Sequence, residues 1–159
     1  MSFKKFALVA SVFALAACGG SSESAPAAEE TAAAPAVETA PAAAAAVTGT
    51  THEIKMIGDE KGYRFEPANL TVKTGDAIKY VFVSGGPHNV AFEGAALSAD
   101  VKKQLDANFS AKMAELSSNM MLNAGESVTV SFANIPAGKY PYNCTPHLAM
   151  NMKGVITVE

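Results

Sequence analysis

Short apolar segments separated by turn signals make up most of the chain from residue 50 to the C-terminus. Segments of this length that are rich in Val, Ile, Thr, Tyr and Phe are typical of β-strands, and the Gly- and Pro-containing stretches between them favour turns. Many short strands at this spacing predict an all-β fold, an antiparallel sandwich or barrel. The predicted strands lie at 54–57, 70–73, 77–83, 127–132, 138–142 and 154–158.

One segment departs from the strand pattern. Ser98 is a favourable N-cap residue, and Val101, Leu105, Met113 and Leu116 follow it near helical spacing. We therefore predict a helix that begins after Ser98 and runs to Leu116. Such a helix would form a long crossover between strands, packed on the sandwich.

The N-terminal residues 1–17 have the pattern of an export signal. Two lysines precede an apolar stretch at 6–15, which is the expected arrangement and is too short to span a bilayer. The segment ends in Leu-Ala-Ala-Cys18, which resembles the lipobox of bacterial lipoproteins, where the cysteine is acylated and becomes the new N-terminus. We predict lipidation of Cys18. Ordinary cleavage beside an incidental cysteine remains the alternative.

Residues 18–49 separate this signal from the strand-forming part. They consist largely of Ala, Pro, Ser, Glu and Thr and contain no aromatic residue. Such a composition cannot offset the entropy lost on ordering, so we predict a disordered tether. The remaining residues, 50–159, are enough to bury a single hydrophobic core and are predicted to form one domain.

Charge and cysteine content exclude some functions. The chain has a formal net charge of −3, and from residue 50 onward eleven acids face ten bases. With no basic surface predicted, we expect no nucleic-acid partner. If Cys18 is lipidated, Cys144 has no disulfide partner and is a free thiol in an exported protein. The alternative, a Cys18–Cys144 disulfide, would tie a disordered tail to a folded loop for little gain.

Three candidate metal ligands cluster near the C-terminus. Cys144, His147 and Met152 lie in one short stretch, and His88 lies far upstream after Gly-Gly-Pro. A thiolate, two imidazoles and a weak axial thioether form a blue-copper electron-transfer site. One tight turn can present the three C-terminal ligands, whereas His88 must come from a separate loop. Met150 is an alternative for the thioether. Taken singly, His88 fits a plain loop histidine and Cys144 a buried core thiol.

These motifs together resemble the plastocyanin branch of the cupredoxins, which includes pseudoazurin. The resemblance covers most of residues 50–159, although each fragment alone is a weak signal. It implies a Greek-key β-sandwich, here with one helical crossover segment, that holds one type 1 copper ion and performs no enzymatic turnover. The stretches that carry it include Pro87–Val90, Leu122–Glu126, Cys144–His147 and Met152–Gly154.

The family pattern also implies roles for individual residues. His88, Cys144, His147 and Met152 correspond to the copper ligands, with Met152 rather than Met150 as the axial ligand because it directly precedes Lys-Gly. Asn89 follows His88, as in the family, where that residue links the two ligand loops by hydrogen bonds, and Thr145 is its expected partner. His147 is expected to be the partly exposed ligand through which electrons leave.

An apolar rim around His147 is the docking surface that the resemblance implies. Asn143 replaces the surface tyrosine of plant plastocyanins, and their acidic clusters are absent. We therefore expect docking through the apolar rim rather than through a charged face. The expected rim residues are Tyr63, Gly85, Pro87, Leu148 and Ala149.

These observations predict a membrane-tethered blue copper protein that carries single electrons between redox proteins of a bacterial cell envelope. The expected partners are donor and acceptor complexes in the membrane or periplasm. The lack of Asp after Cys18 favours the outer membrane over the inner. The alternative is a periplasmic copper chaperone or storage lipoprotein, for which Met150 and the other methionines would supply soft Cu(I) ligands. Met113, Met120 and Met121 are interpreted first as core residues.

Overall fold

Two β-sheets form the framework of residues 43–159, which are the residues that the computed structural model describes. The predicted signal 1–17, Cys18 and most of the predicted tether lie outside them. Within the described residues, no helix is long and apolar enough to cross a membrane. The strands are β1 Thr51–Asp59, β2 Gly62–Glu66, β3 Asn69–Val72, β4 Ala77–Phe82, β5 Ala91–Phe92, β6 Lys112–Ala114, β7 Ser117–Ser118, β8 Ser127–Ser131, β9 Gly138–Asn143 and β10 Lys153–Val158; the helices are α1 Ala99–Asp106 and a 3₁₀ helix Thr145–Met150.

The strand order confirms the predicted β-sandwich. One sheet has the order β2-β1-β4-β8 and the other β3-β10-β9-β5-β7-β6. Most pairs are antiparallel, but β1 pairs with β4, and β3 with β10, in parallel. β3 lies in the sheet opposite to that of β1, β2 and β4. The chain therefore crosses to the other sheet after β2 and crosses back before β4, which pairs with β1 in the same direction.

The core lies between the sheets and is rich in aromatic residues. Ile54 and Met56 of β1 are fully buried, whereas Glu53 and Lys55 are exposed, as expected for a strand with one face on a core. Tyr142 packs against Phe65 and Tyr80, with ring centroids 4.7 and 5.3 Å apart. Each such buried side chain contributes about 1.5–3 kcal/mol through the hydrophobic effect. This packing fixes the strand ends from which the site is built.

The helix begins where the sequence predicts but ends earlier. Ser98 caps α1, because its side chain accepts a hydrogen bond from the backbone N–H of Val101. The helix ends at Asp106 instead of continuing to Leu116. Asn108 explains the end: its amide donates to the carbonyls of Gln104 and Leu105, at 3.2 and 3.1 Å, and so satisfies the last helical acceptors.

The residues beyond α1 form β6 and β7 rather than a helix. The prediction that Met113 is a core residue is wrong, since it lies on β6 with 55% of its surface exposed. Leu116 and Met121 are buried, and Met120 is half-buried. Apolar spacing alone predicts a helix here because it does not register the strand pairing of β7 with β5.

The packed part of the chain starts slightly before residue 50. The backbone N–H groups of Thr48 and Gly49 both donate to the carbonyl of Gly75, at 3.0 and 2.9 Å. The N–H of Thr50 donates to the Asp76 carboxylate at 2.8 Å. The start of β1 is therefore held beside the turn that precedes β4.

Candidate metal centre

His88 lies on a loop that follows β4 and is fixed at both ends. Gly85 has a φ of +72° and lies so close to Gly58 on β1 that a Cβ there would collide with the Gly58 backbone. Only glycine satisfies both conditions. Beyond it, His88 and Met121 exchange two backbone hydrogen bonds, of 3.1 and 2.8 Å. The imidazole is thereby held against the core, where it is fully buried.

Cys144 and His147 come from the turn that links β9 to β10. The N–H of Cys144 donates to the carbonyl of Met152 at 3.0 Å, which closes the base of the turn. Within it, the N–H of His147 donates to the carbonyl of Cys144 at 3.1 Å. Asn151 ends the turn with a φ of 63°, the left-handed conformation that asparagine tolerates well. The short turn therefore places both side chains on the same side.

Three potential ligand atoms converge between the two loops. The Sγ of Cys144 lies 3.6 Å from Nδ1 of His88 and 3.4 Å from Nδ1 of His147. One ligand atom from each of these residues lies within 4.8 Å of the others, so a single ion can contact all three. A soft thiolate with two imidazoles suits copper in both of its biological oxidation states. The residues therefore fit a copper ion.

The hydrogen bonds and burial keep the imidazoles ready to bind a metal. Nε2 of His88 lies 2.9 Å from the carbonyl of Ser84, which can only accept, so Nε2 carries the proton and Nδ1 presents its lone pair to Cys144. Burial lowers the pKa of His88, although the Ser84 carbonyl opposes it. Burial also lowers the pKa of His147, and the nearby His88 adds to the effect. Both rings therefore favour the neutral, metal-binding form.

The thiol of Cys144 has the opposite tendency. Burial raises its pKa, and the backbone N–H groups of Asn89 and His147 counteract part of the rise. Without a metal the group is therefore a neutral thiol at pH 7. A bound metal ion displaces the proton and provides the positive charge that a buried thiolate needs.

The two candidate thioethers occupy different environments. Met152 is fully buried in the core, and its N–H donates to the carbonyl of His147 at 3.2 Å. Met150 is 56% exposed at the end of the 3₁₀ helix. Met152 is thus the methionine that packs inside, next to the turn that carries Cys144 and His147.

Asn89 links the two ligand loops, as the resemblance implied. Its Oδ1 accepts a hydrogen bond from the backbone N–H of Thr145 at 2.7 Å, and its Nδ2 donates to Oγ1 of Thr145 at 3.1 Å. A third contact was not anticipated from the sequence. Nδ2 also donates to Oγ of Ser117 on β7 at 3.0 Å. A Ser-Ser pair in a polar stretch gives no signal that would identify it.

Tyr63, one of the expected rim residues, contacts His147, and the imidazole is less exposed than expected. Only 6% of His147 is accessible. Tyr63, on β2, stacks on the imidazole with ring centroids 3.7 Å apart and planes at 16°, and is itself half-buried. Gly85, Pro87 and Ala149 are exposed, and Leu148 is 48% exposed. Tyr63 therefore covers one face of the imidazole.

Known proteins are similar to this chain in sequence and fold. The family described as "Copper binding proteins, plastocyanin/azurin family" matches residues 52–159. A plastocyanin of Nostoc punctiforme is 35% identical over 118 residues, which cover 72% of this chain and 78% of that protein. The chloroplastic plastocyanin of Tetradesmus obliquus is 34% identical over 115 residues, covering 72% of this chain and 71% of that protein.

A solved structure gives the same result for the fold. The oxidised plastocyanin of the fern Dryopteris crassirhizoma superposes with a TM-score of 0.55 at 28% identity, covering 67% of this chain and 99% of the fern protein. The match therefore includes nearly the whole fern domain. Since the family match spans well over half of the chain and includes both ligand loops, this protein belongs to the plastocyanin/azurin family of copper-binding electron carriers.

Proposed function

We propose that this protein is a type 1 copper protein that is tethered to a membrane by lipidated Cys18 and carries single electrons between redox proteins of a bacterial cell envelope. The observation that carries the proposal is the convergence of Cys144 Sγ with Nδ1 of His88 and of His147. Met152 is proposed as the axial ligand, because it is buried beside this group whereas Met150 is exposed. When bound, the copper ion supplies a one-electron couple.

The protein's contribution is to hold the ligands still and keep water away. His88 and Cys144 are fully buried, and their loops are joined by backbone hydrogen bonds and by Asn89. Donor atoms that are already close together need little movement on gain or loss of an electron. A buried ligand set also leaves little access for a substrate to bind at the metal. Both features suit an electron carrier better than an enzyme.

The apolar rim provides the route for electrons. Tyr63 stacks on the His147 imidazole. Exposed Leu148 follows His147 in the chain and exposed Pro87 precedes His88, whose ring centroid lies 5.0 Å from that of His147. Redox encounters bury little area and must dissociate quickly, which suits a small apolar contact. The near balance of charges from residue 50 onward provides little field for steering by a charged face. We therefore propose that donor and acceptor proteins dock over His147.

The position of the N-terminus of the domain is compatible with a tether. β1 starts at Thr51 and ends at Asp59, and only its later residues approach the loop that carries His88. Nine residues of strand span roughly 30 Å. A tether attached before Thr51 would therefore leave the docking rim free. Placement in the periplasm, with the outer membrane favoured, is part of this proposal.

Stoichiometry and voltammetry of the full chain test the carrier function. Copper-loaded protein should bind one copper ion per chain and show one reversible one-electron couple. A copper chaperone or store would instead bind several weak Cu(I) equivalents. In that case Met113→Leu and Met150→Leu, which remove exposed thioethers, would reduce the copper content, and a reversible couple would be missing.

The membrane anchor needs a separate test. Mass spectrometry of the protein isolated from a bacterial envelope should show an acylated N-terminus at Cys18. Cys18→Ala should release the protein into the soluble fraction while leaving copper binding unchanged. An unmodified N-terminus at another residue would contradict the anchor without affecting the copper assignment.

A further inference from the structure

The strand β7 is attached directly to the chain that leaves the His88 loop. The N–H of Ser118 donates to the carbonyl of Val90 at 2.9 Å, and the N–H of Val90 donates to Oγ of Ser118 at 3.1 Å. The N–H of Phe92 donates to the carbonyl of Leu116 at 2.9 Å. The segment after α1 is therefore in rigid contact with the residues that follow His88 and Asn89.

Ser117 determines which way the Asn89 amide faces. The Ser117 hydroxyl donates its proton to the carbonyl of Ser118 at 3.2 Å, so toward Asn89 it can only accept. The amide NH₂ must therefore point to Ser117, and Oδ1 is left to accept from the N–H of Thr145. Asn89 is fully buried and Ser117 is 5% exposed, so water does not replace this contact. Both N–H groups of the amide are occupied.

The orientation of Asn89 bears on Cys144 through the next residue. Oδ1 of Asn89 accepts a hydrogen bond from the backbone N–H of Thr145 at 2.7 Å, and Thr145 directly follows Cys144. Residues that hold metal ligands in place without binding the metal typically cost about 10–100-fold in metal affinity when they are lost. A residue that fixes Asn89 therefore acts on the position of the Cys144 sulfur without touching it.

We propose that Ser117 is a positioning residue of the copper site, which holds the Asn89 amide so that the His88 loop and the Cys144–His147 turn keep one separation. This inference rests on the proposed function and adds a role for the segment between α1 and β8. Loss of the Ser117 hydroxyl leaves one N–H of the buried amide unsatisfied and lets Asn89 rotate. The hydrogen bond from the Thr145 N–H to Asn89 then weakens, and the turn that carries Cys144 is held less firmly against the His88 loop.

The expected result for Ser117→Ala in the full copper-loaded chain is a shifted reduction potential, an altered thiolate-to-copper absorption band and a copper affinity that is lower by about 10–100-fold. All three changes arise because the Cys144 sulfur is held less firmly relative to His88. The matched control is Ser118→Ala. Its hydroxyl is also buried and bonds to the backbone of Val90 and Asn119, but it does not contact Asn89. It should lower stability while leaving potential and band unchanged.

A measurement on the copper-free protein provides a second, independent readout. In the wild-type apo-protein, both side-chain amide protons of Asn89 should exchange with solvent far more slowly than those of exposed Asn119, and Ser117→Ala should abolish the difference. Asn89 protons that exchange as fast as those of Asn119 in the wild type would overturn the inference even if Ser117→Ala fails to fold. Equal shifts of the potential in Ser117→Ala and Ser118→Ala would also overturn it. If the proposed electron-carrier function is wrong, the wild-type protein itself would show no reversible copper redox couple, which distinguishes that outcome from a wrong role for Ser117.

Discussion

A histidine is paired with a second ionisable side chain before strand β4 and again after it: His52 with Asp76, and His88 with Cys144. The two pairs differ in the hydrogen-bond partners of their polar atoms. Before β4, the Asp76 carboxylate accepts from the N–H groups of Thr50 and Lys73 and from Nε2 of His52. After β4, about 20 Å further along the strand, His88 presents a free lone pair to Cys144.

The difference separates a structural cluster from a metal site. The Asp76 carboxylate accepts three hydrogen bonds, from the N–H groups of Thr50 and Lys73 and from His52, and the resulting network holds the start of β1. At His88, three donor atoms that normally bind metals face one another in a buried space. A histidine near an ionisable group thus indicates a metal site when its lone pair faces other metal-binding atoms, as at His88, and not when its N–H donates to a carboxylate, as at His52. Substitutions at the two clusters test this contrast.

The largest expected effect comes from removing a ligand of the copper site while the His52–Asp76 cluster stays intact. Cys144→Ser should weaken copper binding by more than about a hundredfold, since outer-shell changes alone cost 10–100-fold, and should abolish the thiolate-to-copper colour. His52→Ala should change neither. Chelator competition and visible absorption measure both. A blue Cys144→Ser protein, or a colourless His52→Ala protein, would reverse the contrast.

Copper affinity should rise with pH by roughly tenfold per unit near neutrality. The reason is that burial raises the pKa of Cys144, so the apo-protein binds a proton that copper must displace, while the lowered pKa values of His88 and His147 leave both rings neutral. Chelator competition from pH 6 to pH 8 measures the slope. A flat profile would mean that the thiol is already ionised without the metal.

A charge on the docking rim should slow electron exchange, whereas the same charge at the other end should not. Leu148→Glu adds a carboxylate next to His147 and should reduce the rate with a redox partner by about tenfold or more, because binding would desolvate an unpaired charge. The potential should not change. Val47→Glu, at an exposed site before β1, is the control. Equal effects of the two variants in stopped-flow measurements would rule out docking over His147.

The two methionines should affect the potential unequally. Met152→Leu removes a weak ligand that favours Cu(II), so the potential should rise by an amount on the order of 59 mV, a tenfold change in relative affinity for a one-electron couple. Met150→Leu should have little effect, because that side chain is exposed. Voltammetry of the two variants decides the assignment. A larger shift for Met150→Leu would exchange their roles.

The Asp76 cluster should contribute to the stability of the fold and not to copper binding, and this contribution should be lost at acid pH. The N–H of Lys73, His52 and the N–H of Thr50 together lower the pKa of Asp76 to about 2. A carboxylate whose pKa falls on folding stabilises the native state above its unfolded pKa, ordinarily near 3.8, and this stabilisation is lost as the pH falls to 2. Asp76→Asn should therefore be less stable than the wild type at pH 7, with the gap closing between pH 4 and pH 2.

The control for this prediction is Glu53→Gln, which removes an exposed acid on the same strand as His52. Urea unfolding at several pH values measures the free energy of unfolding for each variant. A gap between Asp76→Asn and the wild type that persists unchanged at pH 2 would contradict the lowered pKa. Loss of copper from Asp76→Asn would show that the cluster is not purely structural.

Local sequence patterns account for much of the fold and most of the site. The strand segments and the cap at Ser98 follow from short-range patterns, and the sandwich follows from their number and spacing. The proximity of His88 to Cys144 does not follow from spacing, because 56 residues separate them; the family resemblance supplies that expectation. Copper and the electron-carrier class therefore follow from the ligand residues and the resemblance together.

The remaining features depend on tertiary contacts that leave no local pattern. Helix α1 stops because Asn108 caps it and β7 pairs with β5, which apolar spacing does not register. The stacking of Tyr63 on His147 joins β2 to the 3₁₀ helix and reduces the exposure of the imidazole. The contact of Ser117 with Asn89 likewise joins positions 28 residues apart.

A crystal structure of the copper-loaded chain with anomalous data at the copper edge tests the central claim most directly. The account predicts one copper peak, bonded to Sγ of Cys144 and to Nδ1 of His88 and His147, with no peak beside His52 and Asp76. A copper ion bound at the His52–Asp76 cluster, or held by exposed Met150 with the Cys144 sulfur unligated, would contradict it.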